Sequence, residues 1–135
     1  MSSLTMVRGL ASRLKDYFEE RTQENLRSVI SYEQEEYEIV YLRDDVTEKY
    51  TREQLRDSID NTRLESMTAP VYDSLYSDDH GELTCLVKCF EHVVELNFVL
   101  GDFEGVTIGL DEAALAGSQN LVAGTRQIFI EERAA

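Results

Sequence analysis

Basic residues are scarce in this chain, and lysine is the scarcest of them. Lysine and arginine together number 13, against 27 aspartates and glutamates, so the formal net charge is −14. Only Lys15, Lys49 and Lys88 are lysines. No segment interleaves basic residues with aromatic ones. Because a phosphate-binding face needs clustered positive charge, the sequence argues against a DNA- or RNA-binding protein.

Long apolar runs and proline are scarce as well. A membrane-spanning helix needs roughly 18 or more apolar residues, and no run approaches that length. The N-terminus lacks the apolar core of a signal peptide. We therefore expect no membrane insertion. One proline and 42% hydrophobic residues in 135 positions indicate a folded chain rather than disorder.

The length predicts a single domain over residues 1–135. Within it we expect an N-terminal helix in residues 1–24 and an α+β core in residues 25–130. No disulfide or metal is needed to stabilise a domain of this size.

Two explanations of the acidity stay open. A strongly charged fold repels itself in dilute buffer, and molar salt shortens the Debye length to about 3 Å and removes most of that repulsion. An acid-rich, lysine-poor surface therefore suits a salt-saturated cytoplasm. The alternative is an acidic protein that docks on a basic partner. The acids are spread along the chain instead of forming a tail, which favours salt adaptation.

Hydrophobic spacing predicts a helix followed by a β-hairpin. Apolar residues three and four apart mark one face of residues 4–18: Leu4, Val7, Ala11, Leu14 and Phe18. Segments 26–32 and 37–43 are rich in valine, isoleucine and tyrosine, as strands are. The polar link 33–36 joins them as an antiparallel pair. In the second strand we expect Tyr37, Ile39 and Tyr41 to share one face.

Residues 44–67 predict a second helix, in which Thr51 and Gln54 fit a capping box. Its expected inner stripe comprises Leu55, Ile59, Thr62, Arg63 and Met67. Pro70 either ends this helix or opens another helical segment over 71–77. Residues 77–81 predict a loop.

Three further strands are expected at 83–90, 93–100 and 105–110, before a last helix that Asp111 caps and that runs through Ile130. The apolar face of that helix comprises Ala114, Leu115, Ser118, Leu121, Val122, Thr125, Ile128 and Phe129. The order is helix, two strands, helix, three strands, helix. A five-stranded antiparallel sheet with helices packed against it satisfies this order most simply, which makes the fold class α+β.

The segment from His80 to His92 is the first candidate for chemistry, because it holds both cysteines and both histidines. On an extended strand, Cys85 and Cys89 face the same way with Cα atoms about 13 Å apart. A disulfide needs roughly 4.4–6.8 Å, and zinc needs ligands that converge on one point. We therefore expect no metal and no internal disulfide, only two small buried side chains facing a helix. A thiol link between chains stays open.

Other candidate constellations are weak. The acidic loop Asp78-Asp79-His80 and the pair Asp44-Asp45 could serve acid–base chemistry or Ca²⁺ binding, yet such clusters arise by chance in a chain this acidic. No nucleophile elbow, dinucleotide fingerprint or P-loop occurs. Gly101, Gly105 and Gly109 indicate turns and close packing. We assign no catalytic, cofactor-binding or metal-binding residue.

The tyrosines could line a ligand pocket or simply cover a sheet. Those considered are Tyr32, Tyr37, Tyr41, Tyr50, Tyr72 and Tyr76.

Four segments resemble a family of small acidic haloarchaeal proteins without an assigned function. They are EEYEIVYLRDDVTEKYTREQL, RLESM, LTCLVKCFEHVVELNF and GVTIGLDEAA, and the resemblance covers roughly residues 25–130. The family pattern has a tyrosine-rich strand that ends in Leu-Arg-Asp-Asp-Val, then a Cys-x-Val-x-Cys-Phe strand. Its members open the last helix with Asp-Pro, where this chain has Asp111-Glu112. The resemblance implies a salt-adapted cytoplasmic protein and supplies no catalytic residue.

The element order is also similar to that of roadblock, longin and profilin-like domains. That resemblance implies a binding module, often a homodimer, and no family residue can be matched to carry over a site.

The sequence thus favours a non-enzymatic interaction or regulatory module that forms a homodimer and binds an unknown protein partner. The expected contact is a sheet edge or the outer face of a helix, because strands apolar on both faces outnumber the helices available to cover them. A small-molecule sensor, with its ligand between the sheet and the second helix, is the alternative. A third class is a metal- or thiol-dependent enzyme that uses Cys85 and Cys89.

Overall fold

The computed structural model describes residues 3–115, 128, 131 and 132, except for the side chains of 3–5 and 115. The helices are α1 (Ser3–Thr22), α2 (Asp44–Lys49), α3 (Arg52–Ser66) and α4 (Ala69–His80). The strands are β1 (Leu26–Glu33), β2 (Glu36–Leu42), β3 (Leu86–Cys89), β4 (Val93–Gly101) and β5 (Glu104–Asp111). Short 3-10 turns occupy Gln23–Asn25 and Glu112–Leu115.

The five strands form one antiparallel sheet in the order β2-β1-β5-β4-β3. The predicted α+β class with a five-stranded antiparallel sheet is confirmed. The longest ladders join β1, β5 and β4 at the centre, and β2 and β3 form the two edges. No helix in the described part of the chain is both long and apolar enough to cross a membrane.

Helix α1 packs on one face of the sheet, as its apolar spacing predicts. Val7 and Ala11 are buried with Leu26, Val29, Val106, Ile108 and Leu110, and Leu14 and Phe18 pack against this cluster. On the opposite face, Ile59 of α3 packs on Ile30 and Tyr32 of β1. Burying each such side chain contributes roughly 1.5–3 kcal/mol, so these two layers supply most of the stability.

The prediction that Tyr37, Ile39 and Tyr41 share one face of β2 is wrong. The ladder slips between Val29 and Ile30, which pair with Tyr41 and Ile39 respectively. An extra residue in one strand breaks the period-two alternation. Tyr41 therefore packs on the α1 cluster, while Tyr37 packs beside Ile30 and Ile59 on the other side.

The helix predicted over 44–67 is two helices. The capping box is present, with the Thr51 Oγ1 accepting from Gln54 N at 3.1 Å and Gln54 Oε1 accepting from Thr51 N at 2.9 Å. A capping box starts a helix, so the chain breaks at Tyr50, whose backbone is extended. The inner stripe of α3 is Ile59, Thr62, Arg63 and Ser66, whereas Met67 is exposed.

A new helix, α4, begins at Ala69 with Pro70 as its second residue, so the prediction of a second helical segment at the proline holds, one residue earlier than expected. The prediction of a loop at 77–81 is wrong, because α4 continues to His80. Gly81, whose φ is +79°, caps the helix. The strand predicted over 83–90 is shorter, at Leu86–Cys89. One reason is that Leu83 N donates to Asp73 Oδ1 at 2.7 Å instead of to a neighbouring strand.

Asp111 is the last residue of β5 and does not cap a helix; a 3-10 turn follows it. Residues 116–127, 129 and 130 of the helix predicted through Ile130 lie outside the described residues.

Candidate functional site

An open cleft of about 850 Å³ lies between the sheet and helices α2 and α3. Its floor is formed by Ser28 of β1, Thr107 and Gly109 of β5 and Glu95 of β4. Val46 and Lys49 of α2 and the following residue, Tyr50, line one side, and α3 contributes residues between Gln54 and Thr62. The volume falls within the roughly 300–1,000 Å³ range of small-molecule sites.

The cleft exists because small residues face the half of α3 that does not touch the sheet. Ser28 and Gly109 are cross-strand neighbours, and a Cβ on Gly109 would lie 2.5 Å from the Ser28 Oγ. Ile59 and Thr62 of α3 are buried, whereas Ser58 and Gln54, one and two turns before Thr62, are exposed. The helix therefore packs through its C-terminal half and leaves the floor open below its N-terminal half.

Charge in the cleft is balanced, unlike that of the chain. Three cations line it, namely Arg27, Lys49 and Lys88, together with three acids, namely Asp57, Glu91 and Glu95. Two of the three lysines in a chain of net charge −14 thus border this one cavity.

Lys88 links the cleft to a buried polar chain. Its Nζ lies 3.1 Å from Glu65 Oε2 and 3.5 Å from Glu95 Oε2. Asn97 Nδ2 donates to Glu65 Oε1 at 3.1 Å, and Tyr32 Oη donates to Asn97 Oδ1 at 2.6 Å. Tyr32 and Asn97 are each 1% exposed. Burial raises the pKa of Tyr32, so its hydroxyl stays protonated. The hydrogen-bonded series of side chains from Tyr32 through Asn97 to Glu65 therefore holds α3 against β4 and β1.

Two arginines form ion pairs with Asp111 at the end of β5, next to the cleft. Arg43 donates to both oxygens of Asp111, at 2.6 and 3.0 Å, and to both oxygens of Asp45, at 2.6 and 2.9 Å. Arg27 reaches Asp111 at 3.2 Å. Hydrogen bonds from Arg43 lower the pKa of Asp45 to about 2 and lower that of Asp111. The cluster joins β1, α2 and β5, which is a structural role.

The two cysteines differ, and the prediction that both are buried is wrong. Cys85 is half-buried and precedes β3, and Cys89 is exposed on that edge strand. Burial raises the pKa of Cys85 to about 11, so little of the nucleophilic thiolate exists at neutral pH. The predicted extended backbone holds at Leu86–Cys89, and no residue from 81 to 90 is helical. Both thiols are free.

The histidines and acid pairs are scattered. His80 ends α4, where its ring stacks on Tyr76 with centroids 5.1 Å apart, and His92 lies exposed at the β3–β4 turn beside the cleft. Asp44 and Asp45 open α2. Within the described residues, no three of His, Cys, Asp or Glu are grouped so that they could hold a metal ion.

The alternative prediction, a pocket lined by tyrosines between the sheet and the second helix, misses most of the residues that line this cleft. Tyr50 is the one of the six tyrosines considered that borders it. The polar side chains that line the cleft include Ser28, Lys88, Glu95 and Thr107. A signal was available: Glu95 and Asn97 are polar residues two apart in the apolar strand VVELNFVL, which places both on one face.

A second surface consists of exposed apolar side chains on α4 and the end of α3. We name it the α3–α4 stripe; it comprises Leu64, Met67, Val71, Tyr72, Leu75 and Tyr76. These six side chains are between 45% and 66% exposed. Ala69 is the buried residue of α4, so this helix presents its apolar residues outward.

A family model for a domain of unknown function, DUF7522, matches residues 12–129. The chain belongs to this family. No curated protein and no solved structure matches it. Membership of DUF7522 confirms the predicted family without an assigned function, while a haloarchaeal origin stays a prediction. DUF7522 carries no stated activity.

Proposed function

We propose that this protein is a non-enzymatic interaction or regulatory module that forms a homodimer through the α3–α4 stripe. The observation that carries the proposal is the exposure of six large apolar side chains along adjoining helices. Monomeric proteins rarely expose contiguous apolar patches above a few hundred Å². Removing such a patch from water contributes roughly 25 cal/mol per Å².

A second copy of the chain suits this surface. Within α4, Val71 and Leu75 lie four residues apart with Tyr72 and Tyr76 beside them, which is the spacing with which paired helices interlock; Leu64 and Met67 extend this surface to the end of α3. Helix α4 carries Asp73, Asp78 and Asp79 and no lysine or arginine, whereas α3 mixes three arginines with four acids. Two copies related by a two-fold axis would cover both stripes at once.

High salt favours this association, because two chains of charge −14 otherwise repel each other. We propose that the protein works in a salt-rich cytoplasm, where screening lets the apolar contact dominate.

Light scattering coupled to size exclusion in molar KCl tests the dimer. We expect twice the 15.5 kDa chain mass for the wild type. Leu75→Glu, which places a charge on the most exposed side chain of the stripe, should elute as a monomer with an unchanged circular dichroism spectrum. Met6→Glu is the matched control, because Met6 is similarly exposed on α1, and it should remain dimeric.

A reductant in all samples removes any contribution of a Cys89 link between chains. A monomeric wild type at every concentration, or an equal effect of the two substitutions, would refute the stripe as a dimer interface. Monomers that bind only a basic partner would instead support the acidic-docking alternative.

Ligand sensing is a second candidate function, and the cleft between the sheet and α3 favours it. A thermal-shift screen tests it: a sensor is stabilised by its ligand in proportion to the logarithm of ligand concentration. A screen of metabolites and nucleotides in which no compound raises the Tm would count against sensing.

A further inference from the structure

We infer that the cleft binds a small zwitterion of the amino-acid or dipeptide type, with Lys88 facing its carboxylate and Glu95 its ammonium group. The inference rests on the second candidate function, ligand sensing, and names the class of ligand. It is independent of the dimer, because the cleft and the α3–α4 stripe share no residue.

The balance of charge in the cleft selects this class. A site for a multiply charged anion such as a nucleotide needs an excess of cations, and a site for a cation needs an excess of acids. Among the residues that line the cleft, Arg27, Lys49 and Lys88 equal Asp57, Glu91 and Glu95 in number, while Asp111 and Glu65 behind the lining form ion pairs with Arg27 and Lys88. A ligand that carries one charge of each sign leaves this balance undisturbed.

Lys88 and Glu95 are the two side chains that would bind the charged groups of a zwitterion. Their charged groups lie 3.5 Å apart, and their side chains are 34% and 40% exposed, so a ligand can reach both. Lys88 has three N–H donors, and a ligand carboxylate can accept one of them beside Glu65 and Glu95. Hydrogen bonds between ionised groups are the stronger ones.

The floor and the helices accept the remainder of such a ligand. Ser28 and Thr107 offer hydroxyl groups on the floor, while Ile30, Val46 and Ile59 offer buried apolar surface. A mixture of apolar walls with a few polar groups is typical of small-molecule sites. The apolar surface would hold an aliphatic side group, so leucine-containing zwitterions are the probes of choice.

A titration followed by amide chemical shifts tests the inference, since it reports both affinity and location. The probes are L-leucine and glycyl-L-leucine at millimolar concentrations. N-acetyl-L-leucine lacks the ammonium group, and L-leucinamide lacks the carboxylate. We expect saturable shifts at Ser28, Glu95 and Gly109 with a zwitterion, and binding weaker by about tenfold or more for each singly charged analogue.

Three variants localise the effect. Lys88→Met should weaken binding by about tenfold or more, and Lys15→Met, which removes a lysine paired with Glu19 on α1, should leave it unchanged. Lys88→Met also removes the partner of Glu65 and could impair folding. Ser58→Phe therefore serves as a second test, because it fills the cleft from an exposed position of α3 and should abolish binding.

Four results would overturn the inference: no saturable shift, equal binding of N-acetyl-L-leucine, shifts confined to residues outside the cleft, or full binding by the folded Ser58→Phe variant. Stabilisation by a nucleotide, with no response to zwitterions, would overturn the ligand class while leaving ligand sensing in place. Failure to dimerise has no bearing on these measurements.

Discussion

Asp111 shows how a single residue fixes the junction of three elements. Its carboxylate receives Arg43 from the end of β2 and Arg27 from β1, while its backbone closes β5. The sequence predicts Asp111 as a helix cap, because aspartate after a strand commonly opens a helix. Two arginines far away in the sequence compete for the carboxylate, and no local pattern reveals them.

Replacing Asp111 with asparagine should lower the free energy of unfolding by about 2 kcal/mol at neutral pH, since charged hydrogen bonds are lost. The folded-state pKa lies below the ordinary 3.8, so the unfolded chain binds the proton first as the pH falls. The stabilisation is complete above that ordinary pKa and is lost as the pH drops through the folded-state pKa. Denaturant titrations of both proteins from neutral to acid pH measure it. A difference that is constant down to the lowest pH would contradict this account.

Gly105 and Gly9 provide a matched pair of glycine tests. A Cβ on Gly105 would lie 2.6 Å from Tyr32 Oη and closer still to the Phe98 carbonyl oxygen, whereas a Cβ on Gly9 meets nothing within 4 Å. Gly105→Ala should therefore destabilise the protein by about 1–3 kcal/mol. Gly9→Ala, in the middle of α1, should stabilise it by up to about 1 kcal/mol. Thermal unfolding of both variants checks the opposite signs, and equal signs would be evidence against this packing.

At the scale of elements, local signals located helices and strands but not all of their ends. The hydrophobic spacing of α1 was enough to predict that helix, and the valine and isoleucine content was enough to predict the strands. Each of these elements buries one periodic face. Helix α4 ends later and β3 begins later than the sequence predicts, because Asp73 accepts a hydrogen bond from the backbone N–H of Leu83 ten residues later. The β-bulge opposite Val29 could not be predicted either, because strict alternation of faces assumes that neither strand carries an extra residue.

The capping box at Thr51 and Gln54 is the element-scale feature that the sequence identified and the structure contains. Thr51→Ala should destabilise the protein by about 1 kcal/mol, because the amide of Gln54 loses its acceptor. Thr51→Ser retains the hydroxyl and should cost little. Urea unfolding distinguishes them, and an equal loss in both variants would indicate that the methyl group rather than the cap matters.

At the scale of the whole molecule, composition bears on function and pattern bears on the fold. The charge of −14 argues against a phosphate-binding face, and this stays a prediction. The cleft could not be predicted in detail, because it depends on α3 touching the sheet through only half of its length. The α3–α4 stripe was equally hidden, since Leu64, Val71 and Leu75 look like core residues until α4 is seen to bury only Ala69 among its described side chains.

Salt should stabilise the protein, because screening relieves repulsion among its acids. We expect the Tm to rise steadily from dilute buffer to molar KCl, by roughly 4 °C for each kcal/mol gained. Sucrose, which does not screen charge, is the control and should give a smaller rise at matched protein concentration. A Tm that is flat or falls with KCl would count against salt adaptation.

The most direct test of the central claim is the mass of the wild type and of Leu75→Glu, measured side by side by light scattering in molar KCl over a dilution series. The account predicts a wild type at twice the chain mass that dissociates only on dilution, and a folded variant that is monomeric throughout. A wild type that is monomeric at every concentration, or a variant that dimerises as well as the wild type, would contradict it.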